Sequence, residues 1–458
     1  MQVIIVGCGK VGRALTAQLS GEDNNVTVVD INGELVKGLA NYYDVMGVTG
    51  NGASYSVLSE ADIEHTDVLI AVTHSDEVNL LCCVIARKAS NCHTIARVRN
   101  PVYSEESAFI RKELGLSMII NPEFAAAQEI ARLLRFPSAI DIDSFSKGRI
   151  ELLRFRVQEN SLLVGMALRE LPQKLQMDVL ICIAERGEDV MIPDGDFVIR
   201  SGDLLSMISI PGNAGAFFQK VGIRTNQVKN TMIIGGGEIT YYLSRFLLSM
   251  GIRVKIIEKK RERCEELSDL LPKATIIFGD GSDRELLQEE HLEHMDALVA
   301  GTDMDEENII LSLYARGRVK SKVVTKLNHL DFNDVIHSLN LDSLIYPKNI
   351  AAEYILRYVR AVGNSMGSNV ETLYKLMDGR VEALEFLIKK DSDLAGIRLQ
   401  DMRLKKNLLI AGIGRKGKLI MPGGQDEFLP GDSVIVVTTH SGFQDIHDIL
   451  EKKGGQER

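Results

Sequence analysis

No run of this chain is apolar for long enough to span a bilayer. The longer runs, such as 179–184 and 434–437, fall far short of the roughly 20 residues that a spanning helix needs. A basic, cleavable leader is missing too, since the first residues read as a strand. These two absences point to a cytoplasmic protein. Excess positive charge is also lacking: 53 Lys+Arg against 63 Asp+Glu give a formal net charge of −10, which argues against nucleic acid or an anionic membrane surface as the main partner. The local basic run Lys259, Lys260, Arg261 and Arg263 reads as the solvated start of a helix. Six cysteines (Cys8, Cys82, Cys83, Cys92, Cys182, Cys264) show no CxxC pairing and sit in apolar patterns, as buried reduced thiols do. No metal-ligand spacing and no nucleophile elbow is found. Tryptophan is absent, but with 45% hydrophobic and 25% charged residues the composition is that of an ordinary globular protein, and 458 residues leave room for several cores.

What is present is concentrated first in residues 1–30, MQVIIVGCGKVGRALTAQLSGEDNNVTVVD. The run Val3-Ile4-Ile5-Val6 leads into Gly7, Gly9 and Gly12, then a helical pattern, then a second apolar run ending in Asp30. This is the order of a dinucleotide-binding unit, in which each glycine has its own task. Gly7 permits a sharp turn, Gly9 lets backbone approach a pyrophosphate, and Gly12 lets the helix sit close on the strand. The phosphates lie at the helix N-terminus, where unpaired N–H groups and the helix dipole favour negative charge. Asp30 is placed to accept hydrogen bonds from the adenosine ribose.

Strand and helix patterns continue to alternate beyond Asp30, which predicts a doubly wound parallel sheet. Strands are expected over 45–48, 68–72, 94–98 and 117–120, with Ser75 or Asp76 capping a helix over 77–88. Asn121-Pro122 opens a further helix to about Arg135. From about 149 to 208, short apolar runs separated by turn residues predict a small strand-rich module. Near Asn230 the programme restarts. Gly7 and Gly235 are 228 apart, as are Asp30 and Glu258; Thr73 and Thr302, Asp76 and Asp305, Asn79 and Asn308, Arg97 and Lys326, Pro193 and Pro422, and Asp203 and Asp432 are each 229 apart. A register kept over so long a span marks a tandem duplication. The predicted fold class is α/β: two tandem Rossmann-like doubly wound parallel sheets, each followed by a small α+β module. The boundaries drawn are 1–136 and 229–360 for the nucleotide-binding units, and 147–212 and 376–452 for the small modules.

Among the shared positions, Thr73 and Thr302 lie where an open sheet presents its strand ends to ligands. Arg97 and Lys326 end the fifth strands, where a cation can pair with a phosphate or with a surface acid. Asp67 and Asp296 read as turn residues, and Asn79 and Asn308 as residues that cap or line a helix. The second glycine loop departs from the first, with Thr240 where Gly12 stands. Either the helix stands off slightly or the hydroxyl finds a neighbour. The acids Asp30 and Glu258 disfavour a 2′-phosphate, so NAD or a plain adenine nucleotide is expected in preference to NADP.

A dehydrogenase needs a substrate domain that brings a proton donor or acceptor to the nicotinamide. The small modules share turn and core residues such as Pro193, Gly202 and Asp203, and no His, Lys or Tyr suited to that work. His291 has no counterpart in the first half, where Asp62 stands 229 positions earlier. The nucleotide therefore reads as a signal, although an NAD-dependent oxidoreductase, or an NAD or redox sensor with some other target, would use the same crevices.

Several segments together carry a family resemblance: the VTGNGAS and IFGDGSD turns, the AVTHSDEVN and AGTDMDEEN segments, and modules containing MIPDGDFVIRSGD and MPGGQDEFLPGD. Across essentially its whole length the chain resembles the TrkA family, the cytosolic regulatory subunits of Trk potassium uptake systems. The resemblance implies two regulator-of-potassium-conductance repeats, each a Rossmann domain followed by a TrkA-C domain. It also implies assembly as a ring, commonly a homotetramer, at the inner face of the membrane on a TrkH or TrkG subunit. It further implies a non-enzymatic role, with NAD or NADH bound by Gly7, Cys8, Gly9, Lys10, Val11, Asp30, Thr73, His74 and Arg97. In the second half the implied contacts are Gly235, Gly236, Gly237, Glu238, Ile239, Glu258, Thr302, Asp303 and Lys326. ATP and ADP are implied as competitors at the same sites.

Overall fold

A computed structural model describes residues 1–22, 24–135, 141–145, 150–177, 179–209, 214–222, 228–328, 336, 339, 341–365, 370–377, 379–415 and 418–451. The boundaries drawn at 136, 147, 212 and 452 fall outside these residues. Two compact units emerge, and each contains matching parts of both repeats. One comprises Met1–Ala131, Lys229–Val319 and Val323–Val359; the other comprises Arg132–Val228, Lys320–Lys322 and Arg360–Arg458.

The first unit holds two six-stranded parallel sheets. One is built from β1 (Gln2–Val6), β2 (Asn25–Asp30), β3 (Met46–Thr49), β4 (Val68–Ala71), β5 (His93–Arg97) and β6 (Met118–Ile120), in the order β3-β2-β1-β4-β5-β6. The strands are short β-branched runs, and VLIA of β4 is buried at every position, as expected of a parallel sheet covered on both faces. The helix Lys10–Ser20 buries Val11, Gly12, Leu15, Thr16 and Leu19, a stripe at helical spacing that packs one face on the sheet. Because the strand order reverses between β1 and β4, their carboxyl ends open the crevice where such sheets take ligands.

The fold repeats with β12 (Asn230–Ile234), β13 (Arg253–Glu258), β14 (Thr275–Phe278), β15 (Ala297–Ala300), β16 (Lys322–Lys326) and β17 (Ser343–Ile345), again in the order β14-β13-β12-β15-β16-β17. The two Rossmann halves meet through the helices that follow their sixth strands. Tyr354 donates to Glu129 at 3.3 Å, and these two residues hold the same place in their helices, each eight positions beyond the residue before the opening proline. Phe124 packs edge-on against Tyr242 and Phe246 at 5.5 and 5.2 Å, and Asn121 donates to the Tyr242 hydroxyl at 3.1 Å.

The second unit holds two five-stranded sheets. One contains β7 (Asp141–Phe145), β8 (Ile150–Arg156), β9 (Leu180–Arg186), β10 (Asp189–Met191) and β11 (Leu204–Ser209); the other contains β18 (Val370–Leu376), β19 (Val381–Leu387), β20 (Leu408–Arg415), β21 (Lys418–Ile420) and β22 (Ser433–Thr438). All their strand pairings are antiparallel. The two sheets share a core, in which Leu152, Cys182, Ile183 and Ile208 pack with Val381, Ala383, Ala411, Ile435 and Val437. Each module is pinned by the same ion pair. Arg186 reaches the buried Asp203 through Nε and Nη2 at 2.8 and 2.7 Å, and Arg415 reaches Asp432 at 2.9 and 2.7 Å. The acids also accept the backbone N–H of Arg200 and Leu429, closing the turns before β11 and β22.

The fold class agrees with the sequence reading, and strand limits shift by one residue or two. The larger differences lie at the modules. The boundary drawn at 376 falls on the last residue of β18, because the antiparallel sheet begins with an edge strand whose partner β19 follows it. Likewise β7 lies before the boundary drawn at 147.

Candidate functional site

Gly7 leaves β1 at φ +107° and Gly235 leaves β12 at φ +97°, a region that L side chains avoid. The turn also brings backbone together: a Cβ on Gly7 would stand 2.8 Å from the Thr73 nitrogen. Gly9 and Gly237 are the N-caps of the helices Lys10–Ser20 and Glu238–Ser249, with no side-chain cap on either. Both helices thus begin on a glycine that brings no side chain between the helix N-terminus and a ligand. A Cβ on Gly12 would press into the Gly7 carbonyl well inside contact distance. In the second half the Thr240 hydroxyl donates to the Gly235 carbonyl at 2.6 Å. Of the two alternatives open from sequence, the hydroxyl finds a neighbour.

The acids ending the second strands hold the glycine loops. Asp30 accepts the Cys8 N–H at 2.7 Å and the Asn32 N–H at 2.9 Å. Glu258 accepts the Gly236 N–H at 2.6 Å and the Lys260 N–H at 2.7 Å. Burial, reinforced by the neighbouring Asp30 and against the pull of Arg13, pushes the Cys8 thiol up to about 12. A thiol of this kind is not a thiolate near neutrality. Peptide mapping after iodoacetamide treatment at pH 8 should find Cys8 unmodified in the folded protein and alkylated in urea; comparable rates in the two states would contradict this placement.

At the ends of β4 and β15 stand Thr73 and Thr302, each tied into a matching network. Asn79 Oδ1 accepts from the Thr73 N–H and hydroxyl at 2.8 and 2.7 Å, and its amide donates to the carbonyls of Thr73 and Arg97 at 3.1 and 2.9 Å. Asn308 does the same for Thr302 and Lys326 at 2.9 to 3.0 Å. Both asparagines line their helices, as read, on the buried side, and from there they join two strand ends across the sheet. Asp67 and Asp296 do act at strand starts, accepting N–H groups of Gln2 and of Lys229 and Asn230. His74 is exposed in the turn that follows Thr73.

The two cations that end the fifth strands differ. Lys326 pairs with Asp303 at 3.1 Å. Arg97 is partly buried, and its buried Nε has no hydrogen-bond partner among the described residues. Burial holds its pKa below the usual arginine range, and the neighbouring Arg99 pushes the same way against Glu123 and Asp76.

In the second half a cleft of about 800 Å³ is lined by Gly235, Gly236, Gly237, Glu238, Ile239, Glu258, Thr302, Asp303 and Lys326. All nine positions singled out in that half thus come together. The cleft also takes in residues that sequence reasoning missed. Arg263 lies across the glycine loop, donating to the Gly236 carbonyl at 2.7 Å and pairing with Glu238 at 3.1 Å; Lys259 and Lys260 line the same wall. The run that contains them was read as a solvated helix start, yet Arg263 is largely buried. Arg99 and Glu123 come from the first half, and no local pattern marks such a distant contribution. Among the described residues, no helix is long and apolar enough to cross a membrane.

Comparison with known proteins places these features. The TrkA-N domain model matches residues 3–122 and 231–347, and the TrkA-C domain model matches 152–222 and 383–451. The chain is 30% identical over 454 residues to Trk system potassium uptake protein TrkA homolog 1 of Methanosarcina mazei, covering 97% of this chain and 99% of that one. It is 30% identical over 443 residues to Trk system potassium uptake protein TrkA of Halomonas elongata, covering 95% of each chain. Among solved structures, the GsuK channel bound to NAD superposes with a TM-score of 0.63 at 17% identity, covering 95% of this chain and 76% of that one.

Proposed function

Because the chain belongs to the TrkA family of Trk potassium uptake proteins, we propose that it gates a Trk-type potassium-transporting membrane subunit, of the TrkH or TrkG kind, according to the nucleotide in its Rossmann crevices. The observation that carries this reading is the duplicated crevice: glycine loop, acid at the end of the second strand, threonine at the fourth and cation at the fifth, each present twice. NAD or NADH is the proposed ligand, with ATP or ADP as competitors. The proposed contacts are the residues assigned to each crevice, with the helix N-termini and Arg97 or Lys326 facing phosphate and the acids turning from the loop N–H groups to the ribose. That the GsuK channel binding NAD shares this fold supports the choice of ligand. Several chains form a ring, a homotetramer in this reading, on the cytoplasmic face of the membrane, and the division into two Rossmann domains and two TrkA-C modules belongs to the same reading.

The nucleotide acts as a signal rather than a reagent. Gating then needs only a difference in nucleotide affinity between two ring states, typically about 1–3 kcal/mol per site, and the contributions of several sites add. Calorimetric titration of NADH and ADP into the wild type, Asp30→Ala and Glu258→Ala proteins tests the sites. Each substitution should remove one of two binding steps per chain. If neither weakens any nucleotide, the crevices are misassigned. Steady oxidation of NADH in the presence of simple aldehydes would favour an enzyme instead.

A further inference from the structure

Glu123, a residue of the first half, lines the crevice of the second. Its Oε1 accepts from Arg99 Nε at 2.9 Å, and both residues line the cleft of the second half although they belong to the first. The other carboxylate oxygen, Oε2, is buried and has no hydrogen-bond partner among the described residues. Arg97, the cation of the first crevice, has a buried Nε in the same condition and lies within the electrostatic reach of both Glu123 and Arg99. Asp76, the other acid acting on Arg97, is already engaged by the N–H groups of Arg99 and Asn100 at 2.9 and 2.7 Å. One acid thus stands between Arg99, which lines the second crevice, and Arg97, which ends the fifth strand of the first sheet.

We propose that Glu123 couples the two crevices antagonistically, so that an anionic nucleotide held in one weakens the hold of the other. This rests on the reading of both crevices as nucleotide sites. A phosphate in the second crevice draws Arg99 away from Glu123. The freed carboxylate then has Arg97 as its remaining cation and competes with any phosphate in the first crevice. In the other direction, a phosphate on Arg97 leaves Glu123 to Arg99 alone and withdraws that arginine from the second crevice. By linkage the two effects are equal in size. The device is asymmetric in sequence, since Asn328 stands in the second half where Arg99 stands in the first.

The test uses the full chain with NADH as the probe. Asp30→Ala and Glu258→Ala each leave one site, and their isotherms give the intrinsic affinities. In the wild type, the second binding step should be at least about 5-fold weaker than the intrinsic value, the lower end of ordinary coupling between sites. Glu123→Gln should bring the two steps to within about twofold of their intrinsic values and tighten both, because a negative charge beside each phosphate is gone. A merely structural role for Glu123 would instead weaken both. Arg99→Gln, at an exposed position, should also abolish the coupling and serves if Glu123→Gln folds poorly, as judged by its thermal melt. Two independent steps in the wild type, or coupling that survives both substitutions, would overturn the proposal while leaving the sites in place. Absence of NADH binding to the wild type would overturn the site assignment and the coupling with it.

Discussion

Gly12→Thr should eliminate NADH binding at the first crevice and leave the second intact, reducing the stoichiometry from two per chain to one. The cause is steric. Any Cβ at Gly12 meets the Gly7 carbonyl, and that carbonyl belongs to the loop whose N–H groups must meet phosphate. Forcing extra atoms into a packed site usually costs about 1–3 kcal/mol, and here the strain falls on the binding loop itself. Retention of two NADH binding steps per chain in Gly12→Thr, measured by calorimetry, would contradict this account.

Asp203→Asn should destabilise the first small module by about 3 kcal/mol, in the range for removing one partner of a buried, hydrogen-bonded ion pair. Arg186 would lose its bidentate partner, and the Arg200 N–H would keep at best a neutral acceptor. Asp432→Asn should act likewise on the second module through Arg415. The sign of the pH dependence follows. Burial opposes the charge on Asp203, but the Arg186 hydrogen bonds and the Arg200 N–H outweigh it and hold the acid below its ordinary value. An acid whose folded pKa is depressed stabilises the fold above its unfolded pKa, near 3.9, and that contribution is lost as the pH falls through the lower folded value. Denaturant melts between pH 7 and pH 3 should show a smaller acid-side loss in Asp203→Asn than in the wild type. An unchanged midpoint at pH 7 would show that the pair does not hold the module.

What could be read from the chain alone was whatever the backbone dictates locally or the duplication repeats. Gly7, Gly9 and Asp30 declare a strand, loop, helix and strand within one short stretch, and the recurrence at Gly235 and Glu258 doubles the signal. The antiparallel modules were legible as strand-rich, but their first strands were not placed, because an edge strand is recognised by its partner rather than by its own pattern. Asn79 and Asn308 were legible as repeated positions. Their task was not, since it depends on carbonyls from another strand. Arg263 was discounted because a charged run at a helix start usually faces solvent, whereas here a glycine loop folds over it. Arg99 and Glu123 were out of reach for a different reason: they complete a cleft whose other residues lie more than a hundred positions away.

Gating by nucleotide is tested most directly by potassium flux into liposomes that carry a Trk-type membrane subunit, with this protein added outside and NADH, NAD, ATP or ADP present in turn. The account predicts that flux depends on the added protein, that at least one nucleotide changes it, and that Asp30→Ala together with Glu258→Ala abolishes the nucleotide effect while the protein still binds the liposomes. Flux that is the same with and without the protein, or that responds to nucleotide equally in the doubly substituted form, would contradict it.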